Sequence, residues 1–111
     1  SWEESQELAV AVYSLTKSFP KEETFGLTSQ LRRASSSISA NIAEGFGRNT
    51  IKDKLQFYAI AYGSLLETKN FLYLANKLQY IEDSNLPPIL EQTTTCQKLL
   101  NAYIKAHKRS V

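Results

Sequence analysis

At 111 residues, 42% hydrophobic and 22% charged, the chain has the size and composition of one globular domain around a single core, which excludes the disordered and collagen-like classes. Its apolar runs are a few residues long, far short of the ~20 a spanning helix needs, and the acidic start Ser1-Trp2-Glu3-Glu4 leads into no apolar signal core, so a cytoplasmic location without a membrane partner is expected. A single cysteine, Cys96, excludes an internal disulfide, and with one histidine, His107, it leaves too few soft ligands for a metal site; the net charge of +2 does not by itself choose a partner.

The first predicted helix, about 3–18, places Leu8, Val12, Leu15 and Phe19 on one stripe and stops at Pro20, whose ring cannot continue the hydrogen-bond ladder. The second, about 24–46, carries Leu27, Leu31, Ala34, Ile38 and Ile42 inward. Its serines and alanines form a thin side that lets another helix come close, and Gly45 and Gly47 offer a left-handed C-cap. The third, about 51–78, opens on Thr50-Ile51-Lys52-Asp53, a relative of the capping box. Its apolar positions include Leu55, Tyr58, Ala59, Tyr62, Leu65, Leu66, Leu72 and Leu78, and Gly63 suggests the close approach of a neighbouring backbone. The fourth, about 86–108, starts after Asn85 with Pro87 and Pro88 in its first turn and turns Ile89, Thr93, Cys96, Leu100, Tyr103 and Ile104 inward. Short connections then dictate one domain over 1–111, an all-α antiparallel up-down-up-down four-helix bundle. The first helix is the shortest, which leaves part of the long helices uncovered unless another subunit packs there.

Few residues carry chemistry. Gln30, Arg33, Ser37, Asn41 and Glu44 follow one another at helical spacing as a polar stripe, read either as a solvated face or as a seam between helices or subunits in which Glu44 pairs with an arginine and Asn41 bonds across. Arg32, Arg33, Arg48, Lys52 and Lys54 form a basic cluster around the second connection, interrupted by Glu44 and Asp53, and Lys105, Lys108 and Arg109 form another near the end of the fourth helix. Both fit contact with phosphates or a solvated surface. The tyrosines read as packing residues whose hydroxyls reach polar partners, Cys96 as a core residue and His107 as a surface residue. No phosphate-binding glycine loop, nucleophile elbow or metal-ligand helix pair is present, so no catalytic residue, metal or cofactor is expected and the chain reads as a non-enzyme.

The stretch from Phe19-Pro20 through Gln30-Leu31-Arg32-Arg33-Ala34, with Ser37-Ile38, Asn41-Ile42-Ala43-Glu44-Gly45 and Arg48, closely resembles the bacterial 23S rRNA-intervening-sequence protein family, as do Phe57, Ala61, Gly63-Ser64-Leu65 and Glu67 in the third helix. The resemblance spans nearly the whole chain. It implies a four-helix bundle assembled as a homopentamer, and kinship with the accessory variability determinant proteins of diversity-generating retroelements, whose basic barrel surface is thought to meet nucleic acid and a reverse transcriptase. The expected partners are thus other copies of the chain, RNA or DNA, or a nucleic-acid-processing protein; a structural scaffold or protein adaptor without nucleic-acid binding is the alternative.

Overall fold

A computed structural model describes residues 1–109. Four α-helices follow one another, α1 (Trp2–Thr16), α2 (Leu27–Phe46), α3 (Ile51–Lys77) and α4 (Leu86–Lys108), with a single 3-10 turn at Lys21–Glu23 and no strand among the described residues. The second helix therefore begins three residues later than its periodicity predicts, because Pro20 and the 3-10 turn take up the connection. Successive helices run antiparallel. Across the α2–α3 contact Gly45 faces Tyr58, Ser37 faces Ser64 and Arg33 faces Glu67; across α3–α4 Tyr62 faces Gln97 and Tyr58 faces His107. No helix among the described residues is long and apolar enough to cross a membrane.

The core is the convergence of the four predicted stripes. Leu8 and Val12 of α1, Leu27, Leu31, Ala34, Ile38 and Ile42 of α2, Leu65 and Leu72 of α3, and Ile89, Cys96 and Leu100 of α4 are all buried. On α3 the periodicity is less selective than the packing. Tyr58, Ala61, Thr68 and Ala75 share the buried face with Leu65 and Leu72, whereas Ala59, Leu66 and Leu78 face outward. The small residues of α2 face α3 at Ser37 and Gly45 and α1 at Ser36 and Ser39. Ala34 and Ser35 are fully buried, and the hydroxyls of Ser37 and Ser64 meet at 2.9 Å. Gly63 is a different matter. A Cβ added there would meet nothing within 4 Å, so no neighbouring backbone among the described residues approaches it.

Helix ends are closed by side chains more than by glycine. Thr50 accepts a bond from the Asp53 amide at 3.1 Å and opens α3 as its cap. Glu23 reaches past Gly26 so that its Oε1 accepts from the Leu27 amide at 3.0 Å, placing a carboxylate at the positive end of α2. Its other oxygen accepts from the Tyr80 hydroxyl at 3.0 Å, and that carboxylate holds the Tyr80 phenol above its ordinary pKa. One acid thus pins the start of α2 to the α3–α4 connection. At the end of α1, the Arg32 Nε donates to Thr16 Oγ1 at 2.9 Å while its guanidinium lies 4.7 Å over the Tyr13 ring, a cation at the negative end of a helix.

The expected left-handed cap at Gly45–Gly47 does not form. Gly47 is right-handed, with φ −82°, and no glycine among the described residues has positive φ. The left-handed residue is Gln79, with φ 62°, where the Tyr80 amide bonds the Ala75 carbonyl and the Gln79 amide the Asn76 carbonyl, both at 2.9 Å. This is a Schellman closure with glutamine where glycine is favoured. Gln79→Gly is expected to raise stability by about 0.5–1 kcal/mol, the left-handed penalty of a Cβ less the extra unfolded-state freedom of glycine, and urea unfolding with an unchanged slope would register it.

Candidate functional site

The bundle topology gathers charge at one end. α2 ends there, α3 begins there and α4 ends there, so Arg48, Lys52, Lys54, Lys105, Lys108 and Arg109 converge around the α2–α3 connection although more than fifty residues separate the first from the last. Only Glu44 and Asp53 oppose them on these segments. Helix α1 does not extend to this end: Ser5, near its start, lies against Cys96, and α4 runs on for about 14 Å from Cys96 to Lys105. The acids Glu3 and Glu4, at the start of α1, stand back along the bundle from the cations at the end of α4.

Arg32 and Arg33 are not part of this cluster. They sit about 22 Å up α2 from Arg48, and each is engaged locally. Arg32 closes α1 as described, while Arg33 pairs with Glu67 of α3 at 2.8 Å and with Gln30 of its own helix at 2.9 Å. Within the chain, the polar stripe forms a seam between α2 and α3. Ser37 carries it across to α3; Asn41 bonds back to the Ser37 carbonyl at 2.8 Å and hydroxyl at 2.9 Å, not across. Glu44 is not in the seam and pairs with Arg48 one turn along at 2.9 Å.

The six converging cations divide by what already holds them. Lys54 Nζ donates to the carbonyls of Gly45 and Phe46 at 3.2 and 2.9 Å, closing the C-terminus of α2, so much of its role is spent on the fold. Arg48 is fixed on two sides, by Glu44 and by the Phe57 ring, whose centroid lies 4.4 Å from its guanidinium carbon. Lys52, Lys105, Lys108 and Arg109 are exposed and make no ion pair among the described residues.

Beneath the charge lies an aromatic plug. Tyr58 is fully buried and packs edge to face against Phe46 at 6.2 Å and Tyr103 at 5.1 Å, and His107 covers both tyrosines, with centroids 4.3 Å from Tyr103 and 5.3 Å from Tyr58. Burial pushes the Tyr58 phenol far above its ordinary pKa; its hydroxyl faces Tyr103 but makes no hydrogen bond of good geometry among the described residues. His107 is thus a packing residue rather than a solvated one. Its Nδ1 lies 2.9 Å from the Tyr103 carbonyl, which can only accept, so Nδ1 carries the proton. Cys96, 2% exposed, is the expected core residue, and burial raises its thiol pKa, away from nucleophilic use.

Periodicity finds the cations but misses this support. Nothing in the spacing of Phe46 and Phe57 shows that one would stand half-exposed beside the cations and the other would carry Arg48.

The comparisons with known proteins agree with this architecture. A crystal structure of a protein of unknown function from the S23 ribosomal protein family of Bacteroides thetaiotaomicron superposes with a TM-score of 0.86, at 30% sequence identity over 94% of both chains. No curated protein sequence matches. Residues 1–102 match the sequence pattern of the 23S rRNA-intervening sequence proteins, and the chain belongs to that family.

Proposed function

We propose that the chain is a non-enzymatic, self-associating cytoplasmic module that binds nucleic acid through the α2–α3 end of its bundle. The observation that carries this reading is the convergence of six cations against two acids at that end, four of them exposed and unpaired among the described residues. Counting those four as phosphate contacts gives an expected log–log salt slope of about −3 per copy. Fluorescence anisotropy with mixed-sequence RNA and DNA across a salt series tests it. Lys52→Glu combined with Lys105→Glu is expected to weaken binding and flatten the slope while leaving the sedimentation mass unchanged. Absence of binding even at low ionic strength would sink the reading.

Self-association has its own support. Val10 is 69% exposed beside the α1–α2 groove of about 470 Å³, Phe25 is 95% exposed, and Ile60, Leu66, Tyr73 and Leu74 are exposed apolar side chains on the outer side of α3. These faces lie on different helices, so one copy presents to the next two unlike surfaces, as a homopentameric ring requires. Arg33 and Glu44 are satisfied within the chain, so Leu66→Glu, rather than a change at either of them, is the substitution expected to lower the sedimentation mass.

A second reading, a scaffold or adaptor whose partner is a protein, including a nucleic-acid-processing one, draws on the same apolar faces. Under it, the lysine substitutions leave partner capture intact and the apolar ones abolish it.

A further inference from the structure

We infer that the α2–α3 end takes single-stranded nucleic acid, holding unpaired bases against the rings and guanidinium plane set among its cations; this rests on the nucleic-acid reading above. Electrostatic attraction alone gives no preference for single strands, because a duplex carries the denser charge. What the end offers besides charge is a pair of flat surfaces, one on the last residue of α2 and one in the short connection that follows it.

The first is Phe46, the last residue of α2, which stays 47% exposed although its ring is braced edge to face by Tyr58 at 6.2 Å and Tyr103 at 5.8 Å. Those two tyrosines belong to α3 and α4, so the ring is held from two helices and gives up little freedom on meeting a ligand. The backbone on which it stands is also fixed, since Lys54 bonds the Phe46 carbonyl at 2.9 Å. The second is Arg48. Its guanidinium lies over Phe57 at 4.4 Å and is anchored by Glu44 at 2.9 Å, and its side chain is still nearly half exposed. A planar cation already stacked on one ring is a platform on which a base can stack from the open side. Such surfaces reward only bases whose faces are free, and stacking is tolerant of base identity because every base has a π-face. In a duplex those faces are occupied by neighbouring pairs. The exposed Lys52, Lys105 and Lys108 then supply sequence-independent contacts to the phosphates that link the stacked bases.

The full chain is titrated at fixed salt with labelled 12-nucleotide single-stranded RNA and DNA, with the blunt duplex of the same DNA sequence, and with an abasic strand of equal length. The expected result is single-strand binding about tenfold tighter than duplex binding, with the abasic strand falling to the duplex level. Phe46→Leu keeps an apolar side chain and should weaken single-strand binding about five- to tenfold at an unchanged salt slope; Arg48→Lys keeps the charge and should lose a similar factor. Circular dichroism on each variant reports whether the bundle is intact, and the wild-type comparison among strands needs no variant. Preference for either RNA or DNA supports the inference as long as the single strand prevails. Equal or tighter duplex binding, or an abasic strand that binds as well as the natural one, overturns it and leaves the electrostatic reading standing. Binding of none of the ligands overturns both.

Discussion

Replacing Gly45 by alanine is expected to cost about 1–3 kcal/mol and to lower the thermal midpoint by about 5–15 °C, although alanine is the better helix former by up to about 1 kcal/mol. The reason is the Tyr58 ring. A Cβ built on Gly45 would overlap Tyr58 Cε1 and lie 2.9 Å from Cδ1, closer than carbon atoms pack. Tyr58 cannot yield easily, because it is fully buried and wedged against Phe46, Tyr103 and His107. Calorimetry of the single and paired variants separates this clash from a plain propensity effect. In Gly45→Ala with Tyr58→Leu the alanine should cost little or even help, giving a coupling energy of roughly 1–2 kcal/mol. If Gly45→Ala is as stable as the parent, the packing described for this end is wrong.

The second large effect comes from a pair of adjacent leucines that look alike in the sequence. Leu65 is 1% exposed inside the bundle and Leu66 is 45% exposed on the outer face of α3. Leu65→Ala removes buried methyl groups and leaves a void, at an expected cost of about 2–5 kcal/mol. Leu66→Ala should stay within about 0.5–1 kcal/mol when unfolding is followed in dilute protein, since little area leaves or enters water. At higher protein concentration the order of interest reverses. Leu66→Ala should then lower the mass seen in sedimentation, while Leu65→Ala, as long as it folds, should not. Equal destabilisation by both substitutions would mean that the helical phase of α3 is misplaced.

The leucine pair also marks where reading the chain alone succeeds and where it stops. Spacings of three and four residues place the inward faces of α1, α2 and α4 without error at Leu8, Val12, Leu31, Ile38, Ile89 and Leu100, because each of those helices has one wet side. Helix α3 is apolar over more of its circumference, so Leu65 and Leu66 carry the same signal and only packing distinguishes them. The glycines mislead for a similar reason. A glycine before a turn suggests backbone freedom, yet Gly45 makes room for a ring thirteen residues later, and among the described residues the one with positive φ is Gln79. At the candidate site the cations are visible one by one. Their grouping follows from topology, which brings Arg48 and Arg109 to the same end of the bundle and removes Arg32 and Arg33 to the far half of α2. Cross-helix partners such as Glu67 for Arg33 or Tyr80 for Glu23, separated by 34 and 57 residues, have no local signal at all.

Because α1 begins at the level of Cys96, the last turns of α4 pack against α2 and α3 through the ring cluster of Tyr103 and His107 together with Ile104. Local opening is then expected to be easiest at this end of the 46 Å long molecule, with the tail of α4 lifting at a fraction of the global unfolding free energy. The same stretch bears Lys105, Lys108 and Arg109. A flexible chain of varied outline can then be followed by a few yielding turns while the leucine-packed half stays rigid, and amide exchange in those turns should slow when such a chain is held.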